Sequence, residues 1–176
     1  TVLAGQCVAL TLSALDSAPG PRPLEPVAAR MVADHVVAML RDKAAARGTR
    51  VDVEVPPDLL ALADEDALTQ VLINLVDNAV KYGRDRGHVV IRAEGREGRV
   101  RVDVVDDGPG LTEEQRARVF DRFYRVDAGR SRDQGGTGLG LALVRGLARS
   151  MGGTALAEEA PGGGCIFRVE LARAAP

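Results

Sequence analysis

A chain of 176 residues, 45% of them hydrophobic and 27% charged, is long enough for one core of ordinary domain size. Its formal net charge of -2 excludes the broad basic surface that nucleic acid demands, so an anionic ligand has to be held locally. No apolar run approaches the roughly 20 residues of a membrane span, and Thr1 to Leu15 lacks the basic flank of a signal peptide. Cys7 and Cys165 stand far apart with no CxxC or Cys/His neighbourhood, which reads as buried free thiols in a reducing compartment.

Thr1 to Ser17 carries Leu3, Leu10, Leu12 and Leu15 and reads as the end of a helix, cut off by Pro19, Gly20, Pro21 and Pro23. Residues 1–23 are therefore expected to be the end of a preceding helical region plus a linker, residues 24–173 the main domain and 174–176 a tail. The absence of an initiator Met gives the whole the look of an excised fragment. Val27, Met31, Val36, Val37 and Met39 predict an amphipathic helix from Leu24 to Arg47, stopped by Gly48. Arg50 to Val55 alternates Val51, Val53 and Val55 and predicts a strand with one buried face. Asp64 is placed to cap a helix running to Tyr82, whose apolar stripe is Leu68, Val71, Leu72, Leu75, Val76, Ala79 and Val80. Val89 to Glu94 and Arg99 to Val105 predict antiparallel strands joined through Gly95 and Gly98. A helix from Leu139 to Met151 leaves a glycine loop, and Thr154 to Glu158 with Cys165 to Leu171 predicts a hairpin over Pro161 to Gly164. Helices among mostly antiparallel strands predict a two-layer α/β sandwich, a mixed sheet covered by helices on one face.

Four segments carry candidate chemistry. Asn74, Asn78 and Lys81 share one helix face, away from the leucines. That face suits a solvated polar stripe, but an amide oxygen also ligates Mg²⁺ and a lysine offers charge to phosphates. Asp106 ends an apolar strand and opens Asp106-Asp107-Gly108-Pro109-Gly110, which is either a tight turn or a base-reading carboxylate. An ionised carboxylate only accepts hydrogen bonds, so it pairs with adenine's exocyclic amine and repels guanine's carbonyl. Gly135, Gly136, Gly138 and Gly140 run straight into a helix, where main-chain amides can approach phosphates. Phe120 and Phe123 suit a small apolar anchor for their loop, while Arg122 or Arg125 can reach a γ-phosphate.

In this order, Asp66 to Gly83, Asp106 to Leu111, Val119 to Asp127 and Gly135 to Leu143 resemble the N box, first glycine box, F box and second glycine box of sensor histidine kinases. The resemblance is to their C-terminal ATP-binding domain, spans Leu24 to Leu171, and implies the Bergerat-type α/β sandwich shared with gyrase, Hsp90 and mismatch-repair ATPases. It implies ATP and Mg²⁺ as cofactors, with Asn78 as the metal ligand and Asn74 as its upstream companion. Lys81 and Tyr82 match the phosphate and nucleotide contacts. Asp106 matches the adenine acceptor, with Gly108 and Gly110 in its turn and Asp107 a lesser candidate. Gly136, Thr137, Gly138, Leu139, Gly140 and Leu141 match the second glycine box, and Arg125, then Arg122, the arginine of the F box. Asp127 to Gln134 corresponds to an ATP lid.

The implied activity is transfer of the ATP γ-phosphate to a histidine on a separate dimerisation domain, for relay to a response regulator. The segment bearing that histidine has no counterpart here: His35 and His88 read as structural, so the fragment alone is not expected to autophosphorylate. The implied setting is cytoplasmic, in a parent that can be anchored in the inner membrane, with no membrane contact by the fragment itself. Competing readings are a gyrase- or Hsp90-like ATPase, an anti-sigma serine kinase, and a degenerate nucleotide- or partner-binding module. The ATPase reading needs a glutamate one turn before Asn78, where this chain has Asn74.

Overall fold

Strand alternation sets the architecture of this protein, seen in a computed structural model that describes residues 23–126 and 138–175. Val100, Val102 and Val104 of β5 (Arg99–Asp106) point one way and Arg101 and Asp103 the other, because successive side chains of a strand leave opposite faces. The same division runs through β4 (His88–Arg96) and β7 (Cys165–Ala172), with Val89 and Ile91 or Phe167, Val169 and Leu171 inward. With β2 (Arg50–Glu54) and β6 (Thr154–Glu159) these form one five-stranded sheet in the order β2-β4-β5-β7-β6. β2 runs parallel to β4 and every other pairing is antiparallel, so the sheet is mixed as expected. The β4–β5 turn is Glu97-Gly98, both at positive φ (49° and 74°), while Gly95 lies inside β4.

Helices α1 (Ala29–Ala46), α2 (Glu65–Tyr82) and α4 (Gly140–Ser150) cover the apolar face, with α2 between the other two. The seven-residue stripe read from the sequence of α2 is buried throughout, and Asp64 caps the helix by accepting from the Ala67 N–H at 2.9 Å. Gly48 follows α1 at φ 64°, a conformation that suits glycine at a helix end. The short α3 (Glu113–Arg118) closes a reciprocal cap between Thr112 and Gln115.

Two expectations change. The chain from Glu25 to Ala28 is a strand, β1, which pairs antiparallel with β3 (Leu60–Ala63) as a separate two-stranded sheet. It therefore delays the first helix, and Ala174 N–H to Leu60 O ties the small sheet to the end of β7. Met31 and Met39 are each 56% exposed, since Ala29, Val32, Ala33 and Val36 form the buried side of α1. The opposite face of the main sheet is charged: Arg168 grips Asp103 through two nitrogens at 2.7 and 3.0 Å, and Arg101 bridges Glu94 and Glu170. Asp103 is only 4% exposed there, its charge met by Arg168 and Arg92.

Candidate nucleotide-binding site

The candidate site runs along α2, from its end, which meets the turn after β5, back to Asn74, which meets the start of α4. Asp106 has the same parity as Val100, Val102 and Val104, so the register that buries the valines carries it to the helix side, 8% exposed. Its Oδ1 accepts from the N–H groups of Gly108 at 2.9 Å and Cys165 at 3.3 Å. Burial pushes the carboxyl above its ordinary value; the two N–H groups pull against that shift, and the nearby Asp107 charge adds to it. Gly108 fits beneath because a Cβ there would lie 2.8 Å from Asp106 Oδ1 and 3.2 Å from Tyr82 O. The turn after β5 is thereby pressed against the end of α2.

Asp107 does different work. Its Oδ2 accepts from the His88 N–H at 3.0 Å, and its Oδ1 would be 2.6 Å from a Cβ on Gly87, so it braces the loop after α2. His88 in turn contacts Asp52 through Nε2 at 2.8 Å on the strand edge.

On α2 the three polar residues do share a half-buried face. Asn74 donates through Nδ2 to Gln70 O at 2.7 Å, which turns its Oδ1 toward Gly140, 3.1 Å from where a Cβ would stand. The first turn of α4 thus reaches the polar face of α2. Leu139, at the N-cap, offers no side-chain cap, so among the described residues the leading N–H groups of this eleven-residue helix have no side-chain cap of the kind that closes α2. Leu139 is buried and Leu141 half-buried, which anchors that turn in the core. Lys81 stacks its ammonium 5.0 Å from the Tyr82 ring, which is 42% exposed. Asp77, beside Asn78, is ion-paired to Lys43 of α1.

The segment from Val119 to Val126 closes the other side. Phe120 is buried edge-on against Phe167, with ring centres 6.3 Å apart, and so anchors the segment. Phe123 does not: it is 71% exposed at φ 63°, and its N–H donates to Gly138 O at 3.0 Å. Gly138, at φ 70°, has room only for a hydrogen, as a Cβ would be 2.9 Å from Phe123 Cα. Arg145 of α4 holds Asp121 at 3.2 Å, tying the same two segments together. Arg122 is exposed, whereas Arg125 is half-buried with Nε and Nη2 shielded from solvent and without a hydrogen-bond partner among the described residues. Gly136, Thr137 and the lid from Asp127 to Gln134 lie outside the described residues, as does Cys7. The sequence reading missed Gly164 and Cys165, which touch Asp106 from the end of the β6–β7 turn and the start of β7; the run Gly162 to Gly164 was the available signal.

A buried acceptor, a polar helix face and a helix start without a side-chain cap among the described residues make up the candidate nucleotide site, and the sequence as a whole agrees with ATP binding. Residues 63–175 match the family described as histidine kinase-, DNA gyrase B-, and HSP90-like ATPases. The chain belongs to that family of ATP-binding domains. Among its relatives, it is 34% identical over 131 residues to the signal transduction histidine-protein kinase BaeS of Escherichia coli (strain K12), covering 74% of this chain and 28% of BaeS. It thus spans under a third of that relative. Of solved structures, full-length ShkA in complex with AMPPNP superposes with a TM-score of 0.82 at 34% identity, over 96% of this chain and 35% of that one. The catalytic domain of the histidine kinase ThkA gives 0.77 at 28% identity, over 86% of this chain and 97% of that one. No helix among the described residues is long and apolar enough to cross a membrane.

Proposed function

We propose that this chain is the Mg-ATP-binding catalytic domain of a sensor histidine kinase, presenting the γ-phosphate to a histidine on a separate dimerisation domain. The observation that carries the reading is Asp106: an ionisable acceptor buried at a strand end, one oxygen fixed by two N–H groups, in a turn packed against the end of α2. Asp106 is the adenine acceptor, with Gly108 and Gly110 shaping its turn. Lys81, Tyr82 and the Gly138 to Leu141 turn receive the phosphates, continued by Gly136 and Thr137.

The residues fit a divalent ion carried in by the nucleotide. Mg²⁺ takes hard oxygen donors and keeps several waters, which a half-buried amide at Asn78 accommodates, with Asn74 directing its own oxygen toward α4. When bound, the ion would neutralise charge on the triphosphate. Arg125 then supplies the guanidinium for charge developing on the transferred group, since its shielded nitrogens lack partners among the described residues. A neutral imidazole attacks the phosphorus without needing a strong base, so positioning carries the rate. Asn74 in place of a carboxylate speaks against a water-activating ATPase, and kinase relatives such as BaeS favour the phosphotransfer reading. By the same likeness the phosphate passes on to a response regulator, and the setting is cytoplasmic.

The test is calorimetric titration with a non-hydrolysable ATP analogue, with and without Mg²⁺ and against the guanine equivalent. A histidine-bearing helical domain is then added in trans with ATP. Adenine-selective, Mg²⁺-assisted binding followed by labelling of that domain supports the proposal. Binding without labelling leaves a nucleotide-binding module, and no binding rejects the reading.

A further inference from the structure

We infer that the β6–β7 turn, through Gly164 and the main-chain N–H of Cys165, is a specificity-determining element that aims Asp106 at the base. The inference rests on Asp106 being the adenine acceptor. None of the four segments singled out in the sequence contains this turn, yet it meets both the main chain and the carboxyl of Asp106. Gly164 sits at φ 94°, and a Cβ there would overlap the Asp106 carbonyl oxygen and lie 3.0 Å from Asp107 Cα. Any side chain at this position must push the two backbones apart. Gly110, at φ 74°, meets the same turn from the other side, where a Cβ would be 3.1 Å from Gly164 O. The turn is itself held, by Gly163 N–H to Ala160 O at 3.0 Å and Ala160 N–H to Gly164 O at 3.2 Å.

The consequence falls on the carboxylate. With Gly108 alone, Oδ1 would have one local donor two residues away; the Cys165 N–H adds a second from across the sheet and fixes the rotation of the group. Oδ2 has no hydrogen-bond donor among the described residues and is the oxygen left for an exocyclic amine. The Cys165 side chain does not compete: its thiol donates to Glu158 O at 3.4 Å and burial pushes it up to about 12, so it stays neutral. Selectivity therefore depends on the main chain at residue 165 and on the missing side chain at residue 164, not on the sulfur.

The test is a cycle between protein and ligand. Binding of a non-hydrolysable ATP analogue and of its purine-riboside counterpart, which lacks the exocyclic amine, is measured on the full chain, on Gly164→Ala, on Cys165→Pro and on the control Cys165→Ala. Thermal unfolding confirms that each variant is native; proline is tolerated at a first strand residue, so Cys165→Pro serves if Gly164→Ala does not fold. The unmodified chain and Cys165→Ala should prefer the amine-bearing ligand about tenfold or more. In Gly164→Ala and Cys165→Pro that preference should collapse to about twofold while affinity for the amine-less ligand holds. Equal weakening of both ligands, with the preference intact, makes the turn merely structural and overturns the inference. An unmodified chain that binds both ligands alike overturns instead the role of Asp106, and one that binds neither overturns the nucleotide reading.

Discussion

Asn74 Oδ1 lies 3.1 Å from where the Cβ of Gly140 would stand, so α2 and the start of α4 meet at a residue with no side chain. Alanine at 140, the first helical residue, would gain less than the roughly 1 kcal/mol of a helix interior and has to displace an amide already held by Gln70 O. Gly140→Ala should therefore leave the melting temperature nearly unchanged while weakening the triphosphate several-fold, roughly 1 kcal/mol. Calorimetry with the ATP analogue and with adenosine separates the effects; a loss shared by adenosine would place the damage at the base, not the phosphates.

Asp106 should make stability and affinity respond to pH in opposite directions. Its ordinary value is 3.8 and burial raises it in the folded state, so between those two values the folded chain holds a proton that the unfolded chain has lost. Ligand-free stability contributed by this group therefore falls as pH rises through the window and stays low above it. Below 3.8 both states are protonated and the cost disappears. Affinity runs the other way, because only the ionised carboxylate is a pure acceptor. Asp106→Asn removes the titration and opposes an amide donor to adenine's amine, so it should bind about tenfold more weakly yet be no less stable at neutral pH. Wild-type affinity that stays flat across the window would refute the assignment.

Asn78→Ala should abolish the advantage that Mg²⁺ gives to analogue binding, lowering affinity by about tenfold in its presence and little in its absence. An equal loss with and without the ion would show that the amide holds the nucleotide directly.

The two phenylalanines should separate cleanly. Phe120→Ala removes a 4%-exposed ring from its edge contact with Phe167 and is expected to cost about 3–5 kcal/mol in chemical denaturation. Phe123→Ala alters a ring that is 71% exposed and should stay within about 0.5 kcal/mol. A large loss at 123 would mean that the ring is covered in solution.

Much of this was legible because it was periodic. The α2 stripe, the Asp64 cap and the β6–β7 hairpin follow from local spacing alone. The β1–β3 pair was not, since Glu25 finds Ala63 and neither four-residue strand alternates enough to announce itself. Met31 and Met39 misled because hydrophobicity marks a residue able to be buried, and α1 had smaller residues for that side. In the site, Asp106 was readable from its glycines, whereas the bracing role of Asp107 depends on His88, nineteen residues away and visible only once β4 and β5 pair. Phe123 looked like its neighbour Phe120; what distinguishes them is a backbone turn set by Gly138.

The charged rows on the open face have a bearing on how the chain finds its shape. A slip of β5 by one residue would drive Arg101 and Asp103 under the helices and expose Val102 and Val104, a penalty paid at every position at once. It would also turn Asp106 outward, away from Gly108 and Cys165. Pairing fidelity and nucleotide choice are thus decided by one alternation, and a misregistered sheet would be blind to adenine before it was visibly unfolded.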